Sequence, residues 1–172
     1  MKKSIAVFLF FTMQLIFAQT VKNMGDFSSL KVYDKISVTL IPSDESRIQI
    51  DQSESEVEIV NKNGELKIRM IPQKILQGSS TAVKVFYENL NDIQASQGSS
   101  ISSAQIVESN SLNLTSNEGS KINLKLETEK LNIKINSGGI MQLSGDATQQ
   151  DVVVNSGGKY LAENLQSQNA IV

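Results

Sequence analysis

The sequence predicts an all-β chain: N-terminal β-hairpin strands lead into a parallel β-helix-like solenoid with coils of about 19–21 residues. Three observations carry this expectation. A glycine-centred motif recurs as ASQGSSI, SNEGSKI, INSGGIM and VNSGGKY, with Gly98 to Gly119 spanning 21 residues, Gly119 to Gly139 spanning 20 and Gly139 to Gly158 spanning 19. A repeat at such a period marks stacked supersecondary units. Apolar residues alternate at period two on both sides of each glycine turn, as in half-buried strands. Hydrophobic residues make up 40% of the chain but aromatics only 5%, so the core is aliphatic, which suits stacked, branched side chains.

The 172 residues suffice for one domain. Residues 1–18 combine Lys2 and Lys3 with an apolar run from Ile5 to Ala18, the make-up of a secretory signal peptide cleaved before Gln19. This run of fourteen residues falls short of the roughly 20 needed to cross a bilayer. The remaining 19–172 divide into a strand and hairpin part over 27–90 and repeat coils over 91–172. The chain has no cysteine, so neither a lipidated N-terminal cysteine nor disulfides contribute, although the compartment permits disulfides.

In KVYDKISVTLIP, the residues Val32, Ile36, Val38 and Leu40 share one face, and Pro42 ends the run. RIQI places Ile48 and Ile50 on one face. In VEIVNKNGELKIRM, Asn63 and Gly64 supply the positive φ angles of a tight hairpin turn, which lets Val57 and Ile59 meet Leu66, Ile68 and Met70. Pro72 breaks the pattern, Gln77 to Ser80 read as a loop, and AVKVFYENL is a further strand.

Each coil then holds two or three short strands. Leu112 and Leu114, then Leu131, Ile133 and Ile135, then Val152 and Val154 precede the turns. Ile122, Leu124 and Leu126, then Met141 and Leu143, then Tyr160 and Ala162 follow them. An antiparallel meander is the alternative; the solenoid is preferred because apolar positions repeat at 19, whereas hairpin strands need shorter spacing. The structural turn residues are Gly64, Gly98, Gly119, Gly138, Gly139, Gly157 and Gly158, corners that require positive φ. The glycine pairs are followed by strands and not by a helix, so they do not form a phosphate loop. Asn113 aligns with Asn132 and Asn136 with Asn155, as expected of amides that hydrogen-bond along a stack; a sugar-binding ladder is the second reading.

The chemistry is narrow. With no histidine and no cysteine, the commonest general base, the usual transition-metal ligands and every His- or Cys-based triad are missing. Serines such as Ser99 and Ser100 have no base to activate them. The surviving catalytic design is a carboxylate pair acting on a sugar, with Asp146 and Asp151 or the acidic run Asp44 to Glu58 as candidates. Glu54, Glu56 and Glu58 alternate as on a solvated strand face, and Gly145-Asp146 occurs without the repeated calcium-binding signature. Asn113-Leu114-Thr115 matches a glycosylation acceptor but lies in a strand of a chain whose leader is bacterial in style. The sequence thus assigns no catalytic, metal-binding or cofactor-binding residue. A net charge of −2 with no basic run excludes nucleic acid as a partner.

FSSLKVYDKISVTLIP, EIVNKNGELKI, VKVFYENLNDIQASQGSSI and the NSGG coils together resemble the head-GIN domain, a family of secreted Bacteroidetes proteins described as auto-transporter adhesins. The resemblance implies a β-helix-like fold, export beyond the inner membrane and no established enzymatic activity. The expected function is a non-enzymatic exported binding or adhesion module of the cell envelope. Its expected partners are a glycan, a lipid or an envelope protein, together with homo-oligomers formed through the solenoid edge. The alternatives are a carboxylate-dependent carbohydrate-active enzyme and a structural assembly component. By the repeat of 19, Ile171 and Val172 fall on Val152 and Val153, so the repeat is expected to continue in a longer protein.

Overall fold

The computed structural model describes residues 20–50, 56–75 and 81–171. The leader at 1–18 and the loop from Gln77 to Ser80 lie outside the described residues. Among the described residues, twelve strands form one curled, open sheet. In chain order they are β1 (Thr20–Asn23), β2 (Ser29–Val32), β3 (Ser37–Pro42), β4 (Arg47–Ile50), β5 (Val57–Lys62) and β6 (Glu65–Met70), then β7 (Ala82–Tyr87), β8 (Asp92–Ala95), β9 (Ser100–Ser116), β10 (Lys121–Ile135), β11 (Ile140–Val154) and β12 (Lys159–Ile171). A four-residue helix, α1 (Pro72–Ile75), is opened by the proline that the sequence pattern treated only as a break.

The C-terminal strands run parallel. Lys121 of β10 faces Ile140 of β11, and Ile140 faces Lys159 of β12, so each step is 19 residues. β9 lies on the other side of β10, with Ile122 opposite Ile101 and Ile133 opposite Leu114. Each repeat between turns is one long curled strand, and not the two or three short strands expected. Curling without a shift of register needs only a place where two consecutive side chains face out. Glu129 with Lys130 and Thr148 with Gln149 supply it.

The N-terminal part corrects the expectation of successive hairpins. Of its strands, only β5 and β6 are sequence neighbours paired directly, with Asn63 at φ 54° and Gly64 at φ 79°. β2 lies parallel between β6 and β8, while β3 lies parallel between β7 and β9; β4 runs antiparallel to β1 and β7. The sheet is therefore mixed. The single strand read across KVYDKISVTLIP is two, divided at Asp34 and Lys35 with φ of 58° and 60°. This turn has the shape of the glycine turns without a glycine.

Five such turns stack. Lys35 N donates to Gln97 O (3.0 Å), Gly98 N to Glu118 O (3.0 Å), Gly119 N to Ser137 O (3.1 Å) and Gly138 N to Ser156 O (3.0 Å). The free backbone donor of each of the first four turns is thereby satisfied by the next turn of the stack. The glycine expectation needs one amendment. Gly64, Gly98, Gly119, Gly138 and Gly157 have positive φ, but Gly139 and Gly158 do not. At Gly139 the reason is contact, because a Cβ there would lie 2.3 Å from the Ser116 carbonyl oxygen.

The interior consists of aliphatic columns that run through successive strands. Leu66, Leu30, Ile93, Leu114, Ile133 and Val152 are register neighbours and all buried, and Val83, Val38, Ile101, Ile122 and Met141 form the column opposite. Burying each such side chain contributes about 1.5–3 kcal/mol. A one-residue irregularity between Gln142 and Ser144 shifts the β11–β12 offset to 20, so Ile171 pairs with Asp151 and not with Val152 as the repeat count implied.

Candidate binding surface

An open polar hollow lies where the long strands curl. Glu108 of β9, Glu127 of β10, Asp146 of β11 and Gln166 of β12 occupy one register column. With the flanking Thr148 and Gln168 they line an open groove of about 520 Å³. Period-two geometry turns these side chains outward, because Leu126, Thr128 and Ala147 beside them point inward. The column sets like groups one strand spacing apart, about 4.8 Å. Among the described residues, no group of three or more His, Cys, Asp or Glu side chains is arranged to hold a metal ion.

The asparagines are committed to the stack itself. Asn132 Nδ2 donates to Asn113 Oδ1 (2.9 Å), Asn136 Nδ2 to Asn117 Oδ1 (3.0 Å) and Asn155 Nδ2 to Asn136 Oδ1 (3.2 Å). Both aligned pairs read from the sequence therefore bond to each other, and Asn117 extends the second into a run of three. Inside the same corner, Ser120 Oγ donates to Ala95 O (2.8 Å) and pairs with Ser116 Oγ (2.9 Å), so these serines are structural groups.

Two phenols stand out. Tyr160 OH donates to Gln150 Oε1 (2.8 Å), and burial pushes its pKa up to about 12. Tyr87 OH is buried without a hydrogen-bond partner among the described residues; burial, and then the nearby Glu108 charge, push it up to about 12. Neither was singled out in the sequence as an ionisable group of interest.

Comparison with known proteins fits this architecture. The family model described as "Putative auto-transporter adhesin, head GIN domain" matches residues 26–172. The chain belongs to the head GIN domain family. No curated protein matches it. Among solved structures it is similar to a putative adhesin from Parabacteroides merdae, with 17% identity, TM-score 0.65 and coverage of 89% of this chain and 75% of that one. It is also similar to a putative adhesin from Parabacteroides distasonis, with 20% identity, TM-score 0.66 and coverage of 89% and 76%. A putative lipid binding protein from the same species has 14% identity, TM-score 0.56 and coverage of 89% and 76%. At these identities the likeness shows the fold.

Within this head GIN chain, the carboxylates weighed for catalysis are apart. Asp146 lines the groove at the curl, while Asp151 lines a separate hollow with Lys130, Asn132 and Gln149. Glu58 is held by Arg69 Nη2 at 2.8 Å and Glu56 by Lys74 Nζ at 3.1 Å. The part of the acidic run from 51 to 55 lies outside the described residues.

Proposed function

We propose that this head GIN chain is a non-enzymatic, exported binding or adhesion module of the cell envelope. The observation that carries the reading is the repetition of like surface groups over a dry aliphatic stack. Glu108, Glu127 and Asp146 recur in one column, whereas acid–base work on a sugar needs two carboxylates facing each other across the scissile bond in different environments. The constant offset of 19 between β10 and β11 supports reading the C-terminal strands as coils of a solenoid, a scaffold that builds extended contact surfaces. The adhesin descriptions of the family and of its structural relatives point the same way.

The test is a panel of envelope glycans, lipids and proteins presented to the chain, with ligand integrity measured in the same samples. Saturable binding with the ligand unchanged is expected. Cleavage of a polysaccharide that disappears in Asp146→Asn would favour the carbohydrate-active alternative instead.

A further inference from the structure

One broad outer face of the sheet is predominantly cationic. It is built from 20–23 of β1, 47–50 of β4, 82–87 of β7, 37–42 of β3, 100–103 of β9, 121–126 of β10, 140–145 of β11 and 159–162 of β12, which neighbour one another in that order. These segments contain no Asp or Glu; Glu163, the next outward position of β12, shares a hollow with Asn123 and Gln142 and is the one carboxylate beside them. Arg47, Lys121, Lys125 and Lys159 sit at outward positions on them, and among the described residues none of the four makes an ion pair. The face formed by β2, β5 and β6 differs, because there Lys31 and Lys67 are paired with Glu65 and Arg69 with Glu58.

Register fixes the spacing. Ser37, Ser100, Lys121, Ile140 and Lys159 form one row across five strands, which places Lys121 and Lys159 two strand spacings apart, about 10 Å. Lys125 lies four residues further along β10, about 13 Å from Lys121. Ile140 lies between Lys121 and Lys159 in the row, and Ser102, Asn123 and Gln142 face outward in the adjacent row, where Leu161 continues it on β12. At the far end the Arg47 guanidinium lies over the Phe86 ring, 3.8 Å from its centroid, which holds the fork flat against the sheet and leaves its edge for a carboxylate.

We infer that this face docks an acidic polysaccharide, a polymer whose sugars carry carboxylate or sulfate groups at intervals. The inference rests on reading the chain as a binding module and names the ligand class. Separated cations meet separated anions, and the adjacent hydroxyls and amides meet sugar hydroxyls. An anionic membrane would call for a tight basic cluster or an apolar wedge, and the face offers cations spread across a flat sheet.

The test measures retention of the chain on immobilised polygalacturonate and dextran sulfate, on neutral dextran, and on equimolar phosphatidylglycerol–phosphatidylcholine vesicles. The chain is expected to bind the acidic polymers and to be released by added salt. Lys121→Glu/Lys159→Glu should weaken that binding by about tenfold or more, and Lys125→Gln/Lys159→Gln by a smaller factor, while Lys134→Glu on the opposite face stays within about twofold. Failure to bind either acidic polymer, equal retention of the double variants, or preference for the vesicles overturns the inference. Binding to neutral dextran or to an envelope protein alone overturns it too, yet leaves the binding-module reading standing.

Discussion

Gly139 and Gly119 occupy similar turns but are needed for different reasons, and substitution separates them. At Gly119 an added Cβ meets nothing within 4 Å and only the left-handed backbone (φ 70°) resists, so Gly119→Ala should cost about 1 kcal/mol. At Gly139 the Cβ would press on the Ser116 carbonyl, which is fixed in the ladder and cannot swing away, so Gly139→Ala should cost about 3 kcal/mol. Urea midpoints of the two variants check the order. The tyrosines make a second pair. Tyr87→Phe removes a buried hydroxyl that has no partner among the described residues and should leave stability equal or higher, whereas Tyr160→Phe loses the bond to Gln150 and should cost about 1 kcal/mol. Because both phenols are raised to about 12 in the folded chain, their contribution is complete below pH 10 and is lost as pH climbs toward 12. Alkaline denaturation followed by circular dichroism should therefore shift upward in Tyr87→Phe.

In the elements, stability comes from repetition between strands. Asn136 is the middle of a three-residue amide column, so Asn136→Ala breaks two bonds and should lower stability by about 1–2 kcal/mol, while Asn132→Ala breaks one and should cost about half as much; thermal melts check the ratio. These columns were legible because a fixed period makes equivalent residues stack. The Asn63-Gly64 hairpin was legible because that dipeptide favours positive φ at both positions. The turn at Asp34 and Lys35 was not, since its residue types give no local signal and the stacked turn at Gln97 imposes its conformation through the bond from Lys35 N. The parallel pairing of β2 with β6 and β8 was hidden too. Short strands with one apolar face accept either direction, and only the closure of the whole sheet decides. The continuous strands through each curl were missed because the outward pair Glu129 and Lys130 reads locally as an interruption.

Over the whole molecule, charge is sorted by surface. The curl presents the Glu108–Glu127–Asp146 column, the β2–β6 side neutralises its charges in ion pairs, and the face across β4, β10 and β12 leaves Arg47, Lys121 and Lys159 unpaired. Groove and cationic face were invisible in the one-dimensional text because their members come from strands far apart in sequence. Mutating the groove and mutating the face should have separable effects: Asp146→Asn leaves retention on polygalacturonate unchanged within about twofold, while Lys121→Glu/Lys159→Glu does not. The central claim, that this head GIN chain holds a ligand without transforming it, is tested most directly by titrating the chain with polygalacturonate calorimetrically and sizing the polymer before and after. The account predicts saturable, salt-sensitive heat with an unchanged polymer length. Shortened polymer, with the shortening abolished in Asp146→Asn, would contradict it.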